Sequence, residues 1–182
     1  MQAKYQQGVG LIEVLVALLL LAIAVLGFVA LQFRAVEATS EGFNRIQAMN
    51  IARDLTEKMR INNSSAAIAR YKNRLATQDR QAADVSSCYS AFCSPVNKAS
   101  FDVHETYLKA NNLGMTVTMM SCPSTANGRQ CIYVAWNKTD ATNAESASDA
   151  ISSTTGHSAC TTSSSTSFSY NESSTCVVME AY

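Results

Sequence analysis

From Val14 to Leu31 the chain carries 18 apolar residues without interruption, and Val9 to Ile12 extend that run across a single acid, Glu13. As a helix rising about 1.5 Å per residue, residues 9–31 reach about 34 Å, against a hydrocarbon core of roughly 30 Å. A chain that starts this way is expected to cross a bilayer. An ordinary secretory signal has an apolar region of about 7–15 residues followed by a small-residue cleavage site. Here the run is longer and ends in Gln32, Phe33 and Arg34. A plain signal anchor is the simplest rival reading.

The remainder is of a size for one globular domain: the chain has 182 residues in all. Formal charge is zero overall, yet residues 1–80 hold ten Lys or Arg against six Asp or Glu, and residues 81–182 hold four against eight. Neither half has the strong basic surface that advertises nucleic acid. Six cysteines, Cys88, Cys93, Cys122, Cys131, Cys160 and Cys176, all lie in the distal half. An even number in a small extracytoplasmic domain points to disulfides, and six cysteines allow many connectivities. Closeness in sequence favours Cys88 with Cys93 and Cys122 with Cys131, which leaves Cys160 with Cys176. Each bridge is expected to contribute roughly 2–4 kcal/mol by loop closure.

An ionisable group in a membrane segment costs about 2.5–3.5 kcal/mol on insertion scales, so Glu13 calls for a reason. Near the start of the run it could reach the headgroups, or complement the positive end of the helix dipole. Its neighbours suggest more. The segment from Gly8 through Glu13 to Leu18, behind a short leader containing Lys4, resembles the class III signal of type IV prepilins. In that family a charged leader ends in Gly and the mature chain has Glu as its fifth residue. The resemblance implies that Gly8 ends a leader of residues 1–8 and that prepilin peptidase cuts the Gly8–Val9 bond. Val9 would then become the N-methylated terminus. Gly8 and Glu13 are on this reading substrate and assembly features, not catalytic ones. A carboxylate lifted from the bilayer into a filament of apolar helices needs a cationic partner, and a neighbouring subunit's Val9 amine could supply it. Val9 stands where Phe is commonest, Gly10 where Thr or Ser is frequent, and Ala30 where major pilins often have a helix-breaking proline.

Beyond Leu31, small or apolar residues recur at Ala35, Ala38, Gly42, Ile46, Met49, Ala52, Leu55 and Met59, mostly three or four apart. That is helical periodicity, and Asn62-Asn63-Ser64-Ser65 is its expected stop. Residues 9–35 are thus read as the transmembrane or filament-core helix and 36–61 as its amphipathic continuation; residues 62–182 form the cysteine-containing head. Straight, the helix from Val9 to Arg60 would measure about 78 Å. A second short helix is expected over 66–80, with Ile68, Tyr71 and Leu75 on one side; its interspersed Arg70, Lys72, Arg74 and Arg80 are read as a solvated face. Asp102 and Glu105 match a capping box, with Asp102 as N-cap and Gly114 ending the helix. Met115–Met119 and Ile132–Trp136 alternate as strands. Around the Pro123 and Asn127-Gly128 turn signals they make an antiparallel pair, its loop fastened by Cys122 and Cys131. Residues 139–175 contain 20 Ser or Thr in 37 positions, a biased stretch that need not form core. Phe168 and Tyr170 could begin a strand there, and Thr175–Met179 reads as a final one.

The fold class expected is α+β and pilin-like: a long N-terminal helix on a small antiparallel sheet head with disulfides. No phosphate loop, nucleophile elbow, dinucleotide fingerprint or zinc-protease motif occurs. His104 and His157 lack ligand spacing and there is no Cys-x-x-Cys pair. No enzyme activity, cofactor or metal is therefore expected. Leu11–Ala17, Met59–Asn62, the Cys88–Cys93 segment and Cys131–Trp136 together resemble the PilV group of minor pilins of type IV pili. That resemblance implies a structural subunit held first in the inner membrane with its head in the periplasm, then in the filament, near its tip, at the cell surface. It implies as partners other minor pilins, the major pilin, prepilin peptidase and the inner-membrane assembly platform. Pilus priming, and through it adhesion, twitching or DNA uptake, would be its role. Nucleic acid is not expected as a direct partner. A minor pseudopilin of type II secretion and a membrane-anchored binding module for a surface or nucleic acid are the alternatives.

Overall fold

The computed structural model describes residues 10–123, 125, 128–144, 156–163 and 168–181. The chain divides into two compact units, residues 1–43 and 44–182. Helix α1, Leu11–Ile61, runs through the boundary. In the first unit the described residues are all helical from Leu11 onward, and all of them are exposed. Nothing there packs a core.

The second unit holds the core. The last four turns of α1 bury Ala48, Ile51, Ala52, Leu55 and Met59, positions three or four apart along one face as helical geometry requires. Opposite them is a three-stranded sheet of β1 (Met115–Ser121), β2 (Gln130–Trp136) and β6 (Cys176–Glu180), antiparallel throughout in the order β1-β2-β6. Strand alternation turns Met115, Val117 and Met119 inward, with Ile132, Val134, Trp136 and Val177 beside them in the same apolar cluster. The sequence expectation of a long helix on a small antiparallel sheet is met.

Two helices flank that core. Helix α2 (Ser65–Leu75) buries Ala67, Ile68, Tyr71 and Leu75; α4 (Pro95–Asn112) buries Ala99, Val103 and Ala110. The stop after Ile61 falls at Asn62–Ser64, and Ser64 also caps α2 by accepting from the Ala67 amide. The helix expected over 66–80 is instead two: α2 ends at Leu75, and Thr77, extended at φ −145°, precedes the short α3 (Gln78–Ala82). A Thr in β geometry cannot continue an α-helix.

The capping-box reading of Asp102 is overturned. Helix α4 begins two turns earlier, where Ser94 accepts from the Asn97 amide and Pro95 takes the first helical position. Asp102 is mid-helix and 2% exposed. The expected end at Gly114 is present: Leu113 caps α4 and Gly114 takes φ +66°. Along α4, Val103 is buried, Tyr107 half-buried and Leu108 exposed.

The Ser/Thr-rich stretch holds the strand expected at Phe168 and Tyr170, β5 (Phe168–Tyr170), and beyond expectation it also supplies β3 (Thr139–Ala144) and β4 (Ser158–Ser163), which with β5 form a second sheet in the order β3-β4-β5. Its β3–β4 pairing is parallel, so the head is not wholly antiparallel. This sheet explains why every residue of β2 is buried: Tyr133 and Ala135, on the face away from α1, cluster with Ala141, Cys160 and Cys176. Hydroxyls make it cohere, Thr161 Oγ donating to Asn143 and Thr175 Oγ to the Trp136 carbonyl. Asn137, at φ 57°, turns the chain between β2 and β3, a conformation Asn tolerates better than most residues.

Candidate assembly helix and head surface

The apolar residues of α1 in the first unit have no protein cover. Leu11 is 85% exposed, Leu31 72% and Phe33 73%. The helix contains an 18-residue window long and apolar enough to cross a membrane, and none of that window is buried. The core helix of a soluble protein passes the same test of length and composition but is mostly buried; this one is not. Transferring such a surface from water is strongly favourable, at about 25 cal/mol per Å², so it requires lipid or other apolar helices around it.

Glu13 stands in the first turn, where its amide donates to the Gly10 carbonyl at 3.0 Å. Its side chain is exposed and forms no ion pair with a described residue. A carboxylate in the first turn complements the helix dipole, yet the dipole leaves its charge without a counter-ion. The sequence-derived cleavage and methylation positions, Gly8 and Val9, lie outside the described residues. Farther along the first unit, Ala35, Val36, Thr39, Ser40 and Phe43 line a shallow apolar groove, and Arg34 pairs with Glu37 at 3.1 Å on the exposed surface.

In the head, three disulfides join Cys88 to Cys93, Cys122 to Cys131 and Cys160 to Cys176. These are the pairs that closeness in sequence favours, and no described cysteine is free. The bridges have different jobs. Cys122–Cys131 closes the β1–β2 loop at its base, whereas Cys160–Cys176 ties β4 of one sheet to β6 of the other. Cys88–Cys93 closes an exposed loop that the Tyr89 ring holds to α4, edge-on to Phe101 at 5.0 Å, while its hydroxyl donates to Glu105 at 2.9 Å. Phe92, on the same loop, is 98% exposed.

The histidines serve structural ends. His104 Nδ1 contacts the Gln81 carbonyl, and Glu105 is engaged by Tyr89 instead of by its neighbour. His157 Nδ1 lies 2.9 Å from Asp140 on the second sheet. Among the described residues no cluster of His, Cys, Asp or Glu could hold a metal ion. Of the basic residues on the expected second helix, Arg74 donates to the Ala83 carbonyl and Arg80 to that of Asn73. Arg70, Lys72 and Arg80 are exposed, as a solvated face requires, and Arg74 alone is buried.

A buried polar centre escaped the sequence reading. Tyr71 of α2 donates to Asp102 of α4 at 2.7 Å, and Lys98 bonds the other carboxylate oxygen. Burial first, then the bond to Asp102, pushes the Tyr71 phenol well above the ordinary tyrosine range. The spacing of Lys98 and Asp102, four apart, was a signal for an ion pair on a helix. Nothing local announced Tyr71, 31 residues away.

Two families of sequence match the chain. Residues 3–29 match the prokaryotic N-terminal methylation motif, and residues 30–104 match the family described as Tt1218-like, type IV pilin Tt1218. No curated protein and no solved structure was found to match. The two matches support a pilin-type structural subunit of the type IV prepilin superfamily.

Proposed function

We propose that the chain is a minor pilin of a type IV pilus, whose mature subunit begins at Val9 and enters the filament through α1. The observation that carries this reading is the wholly exposed apolar half of α1 with a lone carboxylate, Glu13, in its first turn, inside the stretch that matches the methylation motif. Prepilin peptidase cuts between Gly8 and Val9, and Val9 is N-methylated. Before assembly the helix sits in the inner membrane and the head in the periplasm. On extraction into the filament the Glu13 carboxylate pairs with the Val9 amine of a neighbouring subunit, which turns a costly buried charge into a compensated one. The subunit joins other minor pilins near the filament tip and primes assembly by the inner-membrane platform. Adhesion, twitching or DNA uptake then follows from the pilus as a whole. The type IV pilin match over residues 30–104 favours a pilus over a secretion pseudopilus.

The decisive test is intact-mass and N-terminal analysis of the protein made with and without prepilin peptidase. Loss of residues 1–8 and one added methyl group on Val9, only when the peptidase is present, are expected. A mature protein retaining Met1 rejects the reading.

A further inference from the structure

Between α2, the segment after α3 and the first turns of α4 lies a cleft of about 250 Å³ with Arg70, Arg74, Asp84, Ser86, Asn97 and Ser100 in its walls. Arg70 and Arg74 are one turn apart on α2 and so share a face. Arg74 is only 9% exposed; its Nη2 donates to the Ala83 carbonyl at 2.8 Å, but its buried Nε–H has no acceptor. No described carboxylate forms an ion pair with either guanidinium, Asp84 included. Burial, and secondarily the charge of Arg70, draws the Arg74 pKa below the ordinary arginine value. The cleft is thus lined by two guanidiniums that no described carboxylate neutralises, while the Arg74 Nε–H itself is closed off from solvent.

We propose that this cleft binds a carboxylate-bearing sugar, with the two arginines taking the carboxylate and Asp84, Asn97 and the serines taking the hydroxyls. The charge count selects the ligand class. Two guanidiniums and one carboxylate leave one net positive charge, which suits a monoanion; Asp84 repels the more highly charged phosphate of a nucleic acid backbone. Planar guanidinium forks match a planar carboxylate in two-point bonds. Asp84, acceptor-only when ionised, needs a hydroxyl donor. Ser100 Oγ donates to the Val96 carbonyl, which leaves its lone pairs for a second one. The volume, below the roughly 300–1,000 Å³ of sites for drug-sized ligands, suits one sugar ring. The site goes beyond the assembly role: a filament subunit so equipped reads acidic glycans on a surface.

The test is a calorimetric and NMR titration of the full chain in non-ionic detergent, at constant ionic strength, with sodium glucuronate, glucose and inorganic phosphate. Glucuronate is expected to bind saturably and shift the side-chain signals of Arg70 and Asn97, with glucose at least tenfold weaker. Arg70→Gln, at an exposed position, should weaken glucuronate about tenfold, and Asn97→Ala several-fold, both with unchanged melting temperatures. The proposal is overturned if glucuronate fails to saturate or if Arg70→Gln binds it as the unaltered chain does. It is equally overturned if phosphate or a short single-stranded oligonucleotide binds as tightly as glucuronate, which would reassign the cleft to phosphates.

Discussion

Glu13 is the single charge in the apolar run that ends at Leu31, exposed and without an ion-pair partner among the described residues. Its proposed value lies in the filament, so a neutral isostere should spare everything earlier. Glu13→Gln, as the only copy, is expected to remain membrane-bound and processed while its recovery in sheared filaments falls several-fold; undiminished recovery removes the pairing role. The head has its own critical residue pair. Replacing Tyr71 by Phe leaves one lone-pair set of the buried Asp102 unmet, at a cost of about 1–3 kcal/mol near neutral pH. The pH dependence has a definite sign. Because the folded-state pKa of Tyr71 is raised, the stability it confers is complete below the ordinary tyrosine value of about 10 and declines as pH rises above it. Urea melts from pH 8 to 11 should show the gap between the unaltered chain and Tyr71→Phe narrowing above that value.

Helix α4 shows how one cap is chosen over another. Both Ser94 and Asp102 precede plausible helical stretches, but only Ser94 is followed by Pro at the first helical position, and only its side chain caps a free amide. Ser94→Ala is therefore expected to cost about 1 kcal/mol in a thermal or urea melt. Asp102→Ala should cost more, about 2–4 kcal/mol, because it strands Tyr71 and Lys98. If the two losses are equal, the account of Asp102 as a buried hub is wrong. Among the sheets, the Cys160–Cys176 bridge closes a separation of 16 residues, for which loop-closure entropy amounts to about 3 kcal/mol. A double change to Ala at those positions should lower stability by about that amount in denaturant melts, and reductant should then cause less further loss than in the unaltered chain.

On the scale of the whole molecule, every residue of the buried core belongs to residues 44–182, and none to residues 10–43. Removing residues 1–43 should yield a protein that stays in solution without detergent and melts close to the full chain in micelles. A head that fails to fold without them would mean that the first unit supplies packing after all. The long helix, its stop at Asn62–Ser64, the paired strands around Cys122 and Cys131 and the closest cysteine pairs were legible from the chain alone, because each rests on periodicity or on contacts between near neighbours. So was the membrane-competent character of the start, which is a property of a continuous run. In the second sheet only the strand at Phe168 and Tyr170 was legible: β3 and β4 are rich in Ser and Thr and lack the apolar alternation of β1 and β2, and they exist because β2 offers Tyr133 and Ala135 as a second face to cover. Nor were the Tyr71–Asp102 contact, which forms only when α2 and α4 pack together, and the burial of Arg74. Local order follows from nearby residues; the burial that turns an ordinary Asp or Arg into a structural hub or a binding group depends on which distant surfaces close over it.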